Sequence, residues 1–288
     1  MTSNAQASVD NPFPALFVES QWLEEHLQDS SFRIIQIGGE RYYPQMHIPG
    51  AALLSFRDLV TLRNTVPGMR ADPELLAELL GRMGITLQTP VLFYDVGSGM
   101  DAARGVWTLA SLGHSALAQL DGGLGVWYRE KRVMDSLATP FPACSFLPQP
   151  TLEWEATADE VLAVASTEGA TLLLDTRTPE EYQGLTAREP RGHIAGARLF
   201  NWLDALLGTH DPRLKPPAEL LSLFARLGIE DRQQEIILYC ETAHRAAHTW
   251  LLLRHLGFHK VRLYDGSIAE WRYLGHPVVA GNAPYAPA

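Results

Sequence analysis

The residue best placed to do chemistry in this chain is a thiol at the start of a short loop. Cys240 follows the apolar run Ile236-Ile237-Leu238-Tyr239 and precedes Glu241-Thr242-Ala243-His244-Arg245. The run reads as a buried strand. From Ala246 the pattern reads as a helix, with Ala247, Trp250, Leu251 and Leu253 available for an apolar face. A strand, a tight turn and a helix start in that order can aim backbone N–H groups inward, and the helix end adds partial positive charge at the same point. A thiolate is stabilised there, so Cys240 is expected to have a lowered pKa and to act as a nucleophile.

The rest of the composition sets the frame for that loop. The 288 residues suffice for one large domain or two of ordinary size, and 46% hydrophobic with 19% charged residues is normal for a globular protein. A formal net charge of −10 without basic clusters argues against nucleic-acid binding. No apolar stretch approaches the roughly 20 residues that span a bilayer. Met1 to Asp10 lacks the basic start and apolar core of a secretory signal. Cys144 and Cys240 are the only cysteines, which excludes a disulfide framework and makes a reducing, cytoplasmic location the expectation. Cys144, in a proline-rich stretch, reads as structurally inert.

The chain repeats itself. Met83-Gly84-Ile85 recurs as Leu227-Gly228-Ile229, Leu112-Gly113 as Leu256-Gly257, Asp121-Gly122 as Asp265-Gly266 and Trp127 as Trp271, each offset by 144 positions. Val91-Leu92-Phe93-Tyr94 recurs as Ile236-Ile237-Leu238-Tyr239 at an offset of 145, and His47-Ile48-Pro49-Gly50-Ala51 as His193-Ile194-Ala195-Gly196-Ala197 at 146. A tandem duplication accounts for this. The predicted units are residues 1–140, a proline-rich linker over 141–150, and residues 151–288. Each half alternates short apolar strands with amphipathic helices, which predicts an α/β fold with a mainly parallel sheet and helices on both faces. In the second half, Thr157 and Glu160 form a capping-box signature, Leu172-Leu173-Leu174 and Val261 to Tyr264 read as strands, and Pro217 to Leu227 and the stretch from Ser267 as helices. Ligands gather at the carboxyl ends of such strands, where Cys240 stands.

The duplication is also an internal control. Where the second half has Tyr239-Cys240, the first has Tyr94-Asp95, and Asp101 falls at the position of Arg245. The first loop is one residue longer. A carboxylate cannot carry sulfur, and a second one repels an anionic ligand, so residues 1–140 are expected to be a silent copy that helps to wall the pocket of the other half. Gly97-Ser98-Gly99 lacks the Gly-Lys-Ser/Thr of a phosphate loop.

On these features the chain resembles the rhodanese family in its two-domain sulfurtransferase form. The resemblance runs from about Leu16 to Val279. It rests on the duplication, Asp175-Thr176-Arg177 at a strand end, the Gly192 to Ala197 segment, the Cys240 to Arg245 loop and the Asp265-Gly266 turn. It implies a cysteine persulfide on Cys240. Sulfur would come from a small anionic donor such as thiosulfate or 3-mercaptopyruvate and leave to cyanide or a thiol, without cofactor or metal. It also implies that Glu241, Thr242, Ala243, His244 and Arg245 surround the transferred sulfur, and that Asp175 and Arg177 brace the loop and line the pocket. The loop Cys-Glu-Thr-Ala-His-Arg is closer to that of bacterial two-domain members whose loop ends in arginine than to the Cys-Gly-Ser-Gly-Val-Thr of mercaptopyruvate enzymes. Where relatives carry a substrate arginine before the aromatic that follows Asp-x-Arg, this chain has Glu181 before Tyr182; Arg188 and Arg191 are candidate substitutes. With Glu241 in the loop, the pocket carries less positive charge than a dianionic donor prefers.

Other readings stay open from sequence. A phosphatase working through phosphocysteine uses seven positions from cysteine to arginine, against six here. A carrier loaded by a sulfur-relay partner protein needs the same persulfide. His248, His255 and His259 have spacings that suit a metal, but an anion site at a helix start competes with a cation. Asp175 and Arg177 read equally as a plain ion pair. His244 reads as a proton shuttle or as loop packing, and Trp202 as a residue bordering the pocket.

Overall fold

The repeat is visible strand for strand in the computed structural model, which describes residues 11–167, 169–187 and 191–281. The first half supplies β1 (Phe17–Val18), β2 (Arg33–Ile37), β3 (Ala51–Leu54), β4 (Val60–Arg63), β5 (Val66–Arg70), β6 (Val91–Asp95) and β7 (Leu117–Leu120). The second supplies β8 (Glu155–Ala156), β9 (Leu172–Asp175), β10 (Arg198–Leu199), β11 (Leu206–Gly208), β12 (Asp211–Leu214), β13 (Ile236–Tyr239) and β14 (Val261–Tyr264). Five strands of the first half form a parallel sheet in the order β1-β7-β6-β2-β3. The second sheet, read from the matching edge, runs β8-β14-β13-β9-β10 and is also parallel throughout. These are two α/β domains of one topology.

The central strands β6 and β13 are buried along their whole length, as their apolar runs Val91 to Tyr94 and Ile236 to Tyr239 require in a sheet covered on both faces. The cover on one face is shared. Helices Met100–Ser111 and His244–His255 pack against each other between the two sheets, and their residues 102–111 and 246–253 are buried all round. One continuous apolar core therefore runs from Ile35 and Phe93 through Trp107 and Leu251 to Leu238 and Phe258. Each half also has a smaller outer core, around Trp127 in the first and around Trp271 in the second. The two tryptophans keep the same partner geometry: each indole N–H donates to a backbone carbonyl six residues on, of Val133 and of Pro277, at 2.8 Å.

The capping box at Thr157 and Glu160 forms as the sequence predicts, opening the helix Ala158–Ser166. Two features differ from the sequence pattern. The helix after Cys240 begins at His244 rather than Ala246, because Ala243 adopts a left-handed φ of 64° and turns the chain into the helix early. The strands β4–β5 and β11–β12 form antiparallel hairpins that hydrophobic periodicity does not reveal. The first closes through Asn64 and Thr65, both at positive φ, in a two-residue turn. Residues 141–150 run extended without helix or strand, held to the first half by Cys144 N–H on Gly81 O (2.8 Å) and Gln149 N–H on Leu112 O (2.8 Å). Cys144 itself is exposed, and its thiol donates to Ile85 O.

Candidate active site

Cys240 lies at the carboxyl end of β13, 1% exposed. Its loop is fastened from below by one hydroxyl. Ser267 Oγ accepts the N–H groups of Cys240 (3.2 Å) and Ala243 (3.1 Å) and donates to Tyr264 O (2.9 Å). The main chain adds two more ties, from Ile268 N–H to Cys240 O and from Ala269 N–H to Glu241 O. Ser267 itself sits at φ 51°, on the turn into the helix Ser267–Tyr273. With both ends pinned and Ala243 left-handed, His244 and Arg245 fall in the first helical turn, where N–H groups have no helical acceptor and face outward along the axis.

What such a loop can hold is displayed by its counterpart in the first half. There Asp95 takes the position of Cys240, and its carboxylate folds into its own loop. Oδ1 accepts from Gly97 and Gly99 N–H (2.9 and 3.0 Å), and Oδ2 from Asp101 and Ala102 N–H (3.0 and 3.1 Å). Burial pushes this carboxyl up, and the pull of the four donors in the other direction offsets that only in part. Gly99, at φ 90°, caps the helix as Ala243 caps its partner. In matched register, Asp101 and Ala102 correspond to Arg245 and Ala246. Asp101 is pushed up to about 6 by burial and by the charge of Asp95 and Glu40.

Around Cys240 the charges come in pairs. Arg245 makes a two-pronged contact with Glu181, Nη1 to Oε2 at 2.5 Å and Nη2 to Oε1 at 3.0 Å. Burial opposes its charge, but the contact with Glu181 and the charge of the nearby Cys240 hold Arg245 protonated. Burial likewise pushes Glu181 up, and the contact with Arg245 outweighs it, holding the carboxyl down at about 2. Glu181 is also the third residue of a capping box with Thr178 on the helix Pro179–Gln183, which fixes where it points. Glu241 accepts from Arg272 Nη1 at 2.6 Å.

Asp175 and Arg177 are wholly buried below the loop. The guanidinium binds both carboxylate oxygens of Asp175, at 2.6 to 3.1 Å, and donates to Gly192 O at 2.9 Å. Between them, Thr176 donates its N–H and its hydroxyl to Tyr239 O, the residue before Cys240. The pair therefore touches the loop through Thr176 and Tyr239. Arg188 lies outside the described residues; Arg191 is exposed beside Gly184.

The roof of the site comes from the first half. Gly68 of β5 lies against Thr242 so closely that a Cβ there would meet the Thr242 Cβ at 2.7 Å, and its φ of 79° disfavours any side chain. Arg70 N–H donates to Asp265 Oδ2 (2.8 Å), and the buried Arg104 guanidinium donates to Asp265 Oδ1 (2.6 Å) and Gly68 O (3.1 Å). Phe56 meets the His244 ring edge-on at 4.5 Å between centroids. Burial, and secondarily the charge of Arg104, pushes His244 down to about 3. His248 and His255 both stack edge-on to Phe17 at the interface between the halves, and Trp202 packs on His248.

Sequence reasoning singled out the loop but not Ser267, Gly68, Arg70 or Arg104. Ser267 had a signal: the repeat reads Asp121-Gly122-Gly123 against Asp265-Gly266-Ser267, a hydroxyl gained only in the half that carries the thiol. Gly68 and Arg70 belong to a hairpin whose signal was the short turn at Asn64, and Arg104 to the helix Met100–Ser111.

Comparison with known proteins agrees with this geometry. The rhodanese-like domain model matches residues 19–130 and again 157–273. A thiosulfate sulfurtransferase of Corynebacterium glutamicum is 32% identical over 91% of this chain and 91% of its own. The sulfur carrier protein TtuD of Thermus thermophilus is 31% identical over 93% and 98%. The crystal structure of SseA from Escherichia coli, described as a 3-mercaptopyruvate sulfotransferase with the rhodanese fold, superposes with a TM-score of 0.79 at 27% identity, covering 88% of this chain and 98% of that one. With both halves matched and the relatives aligned end to end, this chain is a two-domain member of the rhodanese family.

Proposed function

We propose that the protein is a sulfurtransferase that carries sulfane sulfur as a persulfide on Cys240, with residues 151–288 catalytic and residues 1–140 a silent partner. In the first half-reaction the Cys240 thiolate attacks the outer sulfur of the donor. A Cys240 S–S bond forms and the donor's S–S bond breaks; from thiosulfate, sulfite leaves with the bonding pair. In the second, cyanide or a thiolate takes the outer sulfur and the thiolate is regenerated. The Asp95 carboxylate, held by four N–H groups in the matching loop, is the observation that carries this reading. It supports the view that this loop type turns N–H donors toward the centre of its arc, which is where a persulfide on Cys240 develops its charge.

Arg245 serves as the cation of that site and the N–H groups of the first helical turn as its donors. Glu241, Thr242, Ala243 and His244 form the wall around the outer sulfur. Asp175 and Arg177 act beneath the loop, holding β9 against β13. Thiosulfate turnover in vitro is the expected activity, in line with the Corynebacterium relative; the SseA likeness makes 3-mercaptopyruvate the alternative donor. The Thermus relative, named a sulfur carrier, supports a second use of the same persulfide in delivery to a partner protein. A reactive thiol of this kind suits a reducing compartment. No described helix is long and apolar enough to cross a membrane.

The test is direct. Cys240→Ala should abolish sulfur transfer from thiosulfate to cyanide, and donor-treated wild-type protein should gain about one sulfur atom in mass that cyanide removes. Retained turnover in the alanine variant removes the assignment.

A further inference from the structure

Five described arginines at and around the loop are each matched by a carboxylate: Arg245 by Glu181, Arg272 by Glu241, Arg104 by Asp265, Arg177 by Asp175 and Arg70 by Glu155. Of these carboxylates, Glu181 is the one bound to Arg245, the cation that closes the loop begun by Cys240 and whose charge Cys240 feels. Both prongs of the Arg245 fork facing Glu181 are taken, and the pair is partly open, with side chains 19% and 21% exposed. An incoming donor therefore meets a near-neutral pair where a lone guanidinium would be a strong anion site.

We propose that Glu181 is a specificity-determining residue that sets this site for singly charged sulfane-sulfur donors, of the persulfide and thiosulfonate class, over the dianion thiosulfate. The inference rests on the persulfide reading of Cys240. Its physical basis is that the repulsion by one fixed carboxylate is proportional to the charge of the donor. A dianion thus loses twice as much, on a logarithmic scale, as a monoanion of the same size and shape. The chemistry is the same for both. From methanethiosulfonate, the Cys240 thiolate takes the outer sulfur, the S–S bond to the sulfonyl group breaks, and methanesulfinate leaves with the electron pair.

The experiment compares kcat/KM for thiosulfate and for methanethiosulfonate, with cyanide as acceptor, in the wild type and in Glu181→Gln. Glutamine is isosteric and can fill the third position of the capping box with Thr178, so the helix Pro179–Gln183 is retained. The wild type should favour methanethiosulfonate. In the variant, turnover of methanethiosulfonate should rise by about tenfold and that of thiosulfate by about a hundredfold, chiefly through KM, so the ratio shifts about tenfold toward the dianion. An unchanged ratio, whether both donors improve or both fail, overturns the proposal. Cys240→Ala assayed alongside separates the two readings. If it is inactive while the Glu181→Gln ratio stays fixed, the persulfide stands and the charge filter falls.

Discussion

His244 is enclosed by Phe56 and the roof, and burial followed by the Arg104 charge holds its pKa at about 3. It is neutral at every pH where the enzyme would work. Transfer activity should therefore show no limb between pH 5 and 8 that vanishes in His244→Gln; a lost limb there restores the proton-shuttle role. The same shift has a stability consequence. In the unfolded chain this imidazole binds a proton below about pH 6.5, while the folded one stays neutral until about 3. Folding is thus progressively disfavoured as pH falls from about 6.5 to 3, and His244→Gln should flatten that part of the denaturation profile. Glu181 behaves in the complementary way. Its carboxyl lies at about 2, below its unfolded value, so its pair with Arg245 stabilises the fold fully above about pH 4.5 and ceases to do so as pH falls through 2. Sequence alone named Cys240 and the loop that closes on Arg245 from residue type and spacing, and the anomaly at Glu181 from the family resemblance. It left the role of His244 open, because its environment is built by residues nearly two hundred positions away.

At the level of elements, the active loop is a strand end and a helix start held together by Ser267. Its hydroxyl accepts two buried N–H groups, so Ser267→Ala should leave both without an acceptor and destabilise the protein by about 2–4 kcal/mol, measured by urea unfolding. Turnover should fall as well, since the arc of N–H groups is no longer fixed. Unaltered stability and rate would show that the two N–H groups find other acceptors. The central strands and the long helices were legible from their apolar runs and from the repeat. The true helix start at His244 was not, since it depends on a left-handed alanine, a conformation that composition does not announce. The hairpins escaped for a related reason. Their alternation is too short and too exposed to stand out from loop sequence, and the arm from Val60 to Arg70 acquires meaning only against Asp265.

The whole molecule is joined by its helices and by an exchange of arms. The hairpin of the first half reaches Asp265 through Arg70 N–H, and the hairpin of the second reaches Asp121, the repeat equivalent, through Leu214 N–H at 3.1 Å. The Arg104–Asp265 pair lies 0% and 3% exposed across this junction. Arg104→Ala should leave Asp265 buried without its counter-ion and cost about 3–5 kcal/mol, seen as a lowered melting temperature. Arg104→Met with Asp265→Asn should recover much of it; no recovery would show that the guanidinium acts through Gly68 O instead. Reciprocal arms of this kind are the architecture of a swapped dimer. In a single chain the partner is tethered, so assembly of the thiol site becomes a first-order event, indifferent to dilution. Such a tether means that a change in the arm from Val60 to Arg70 is felt in the other half, at Asp265, as surely as in its own.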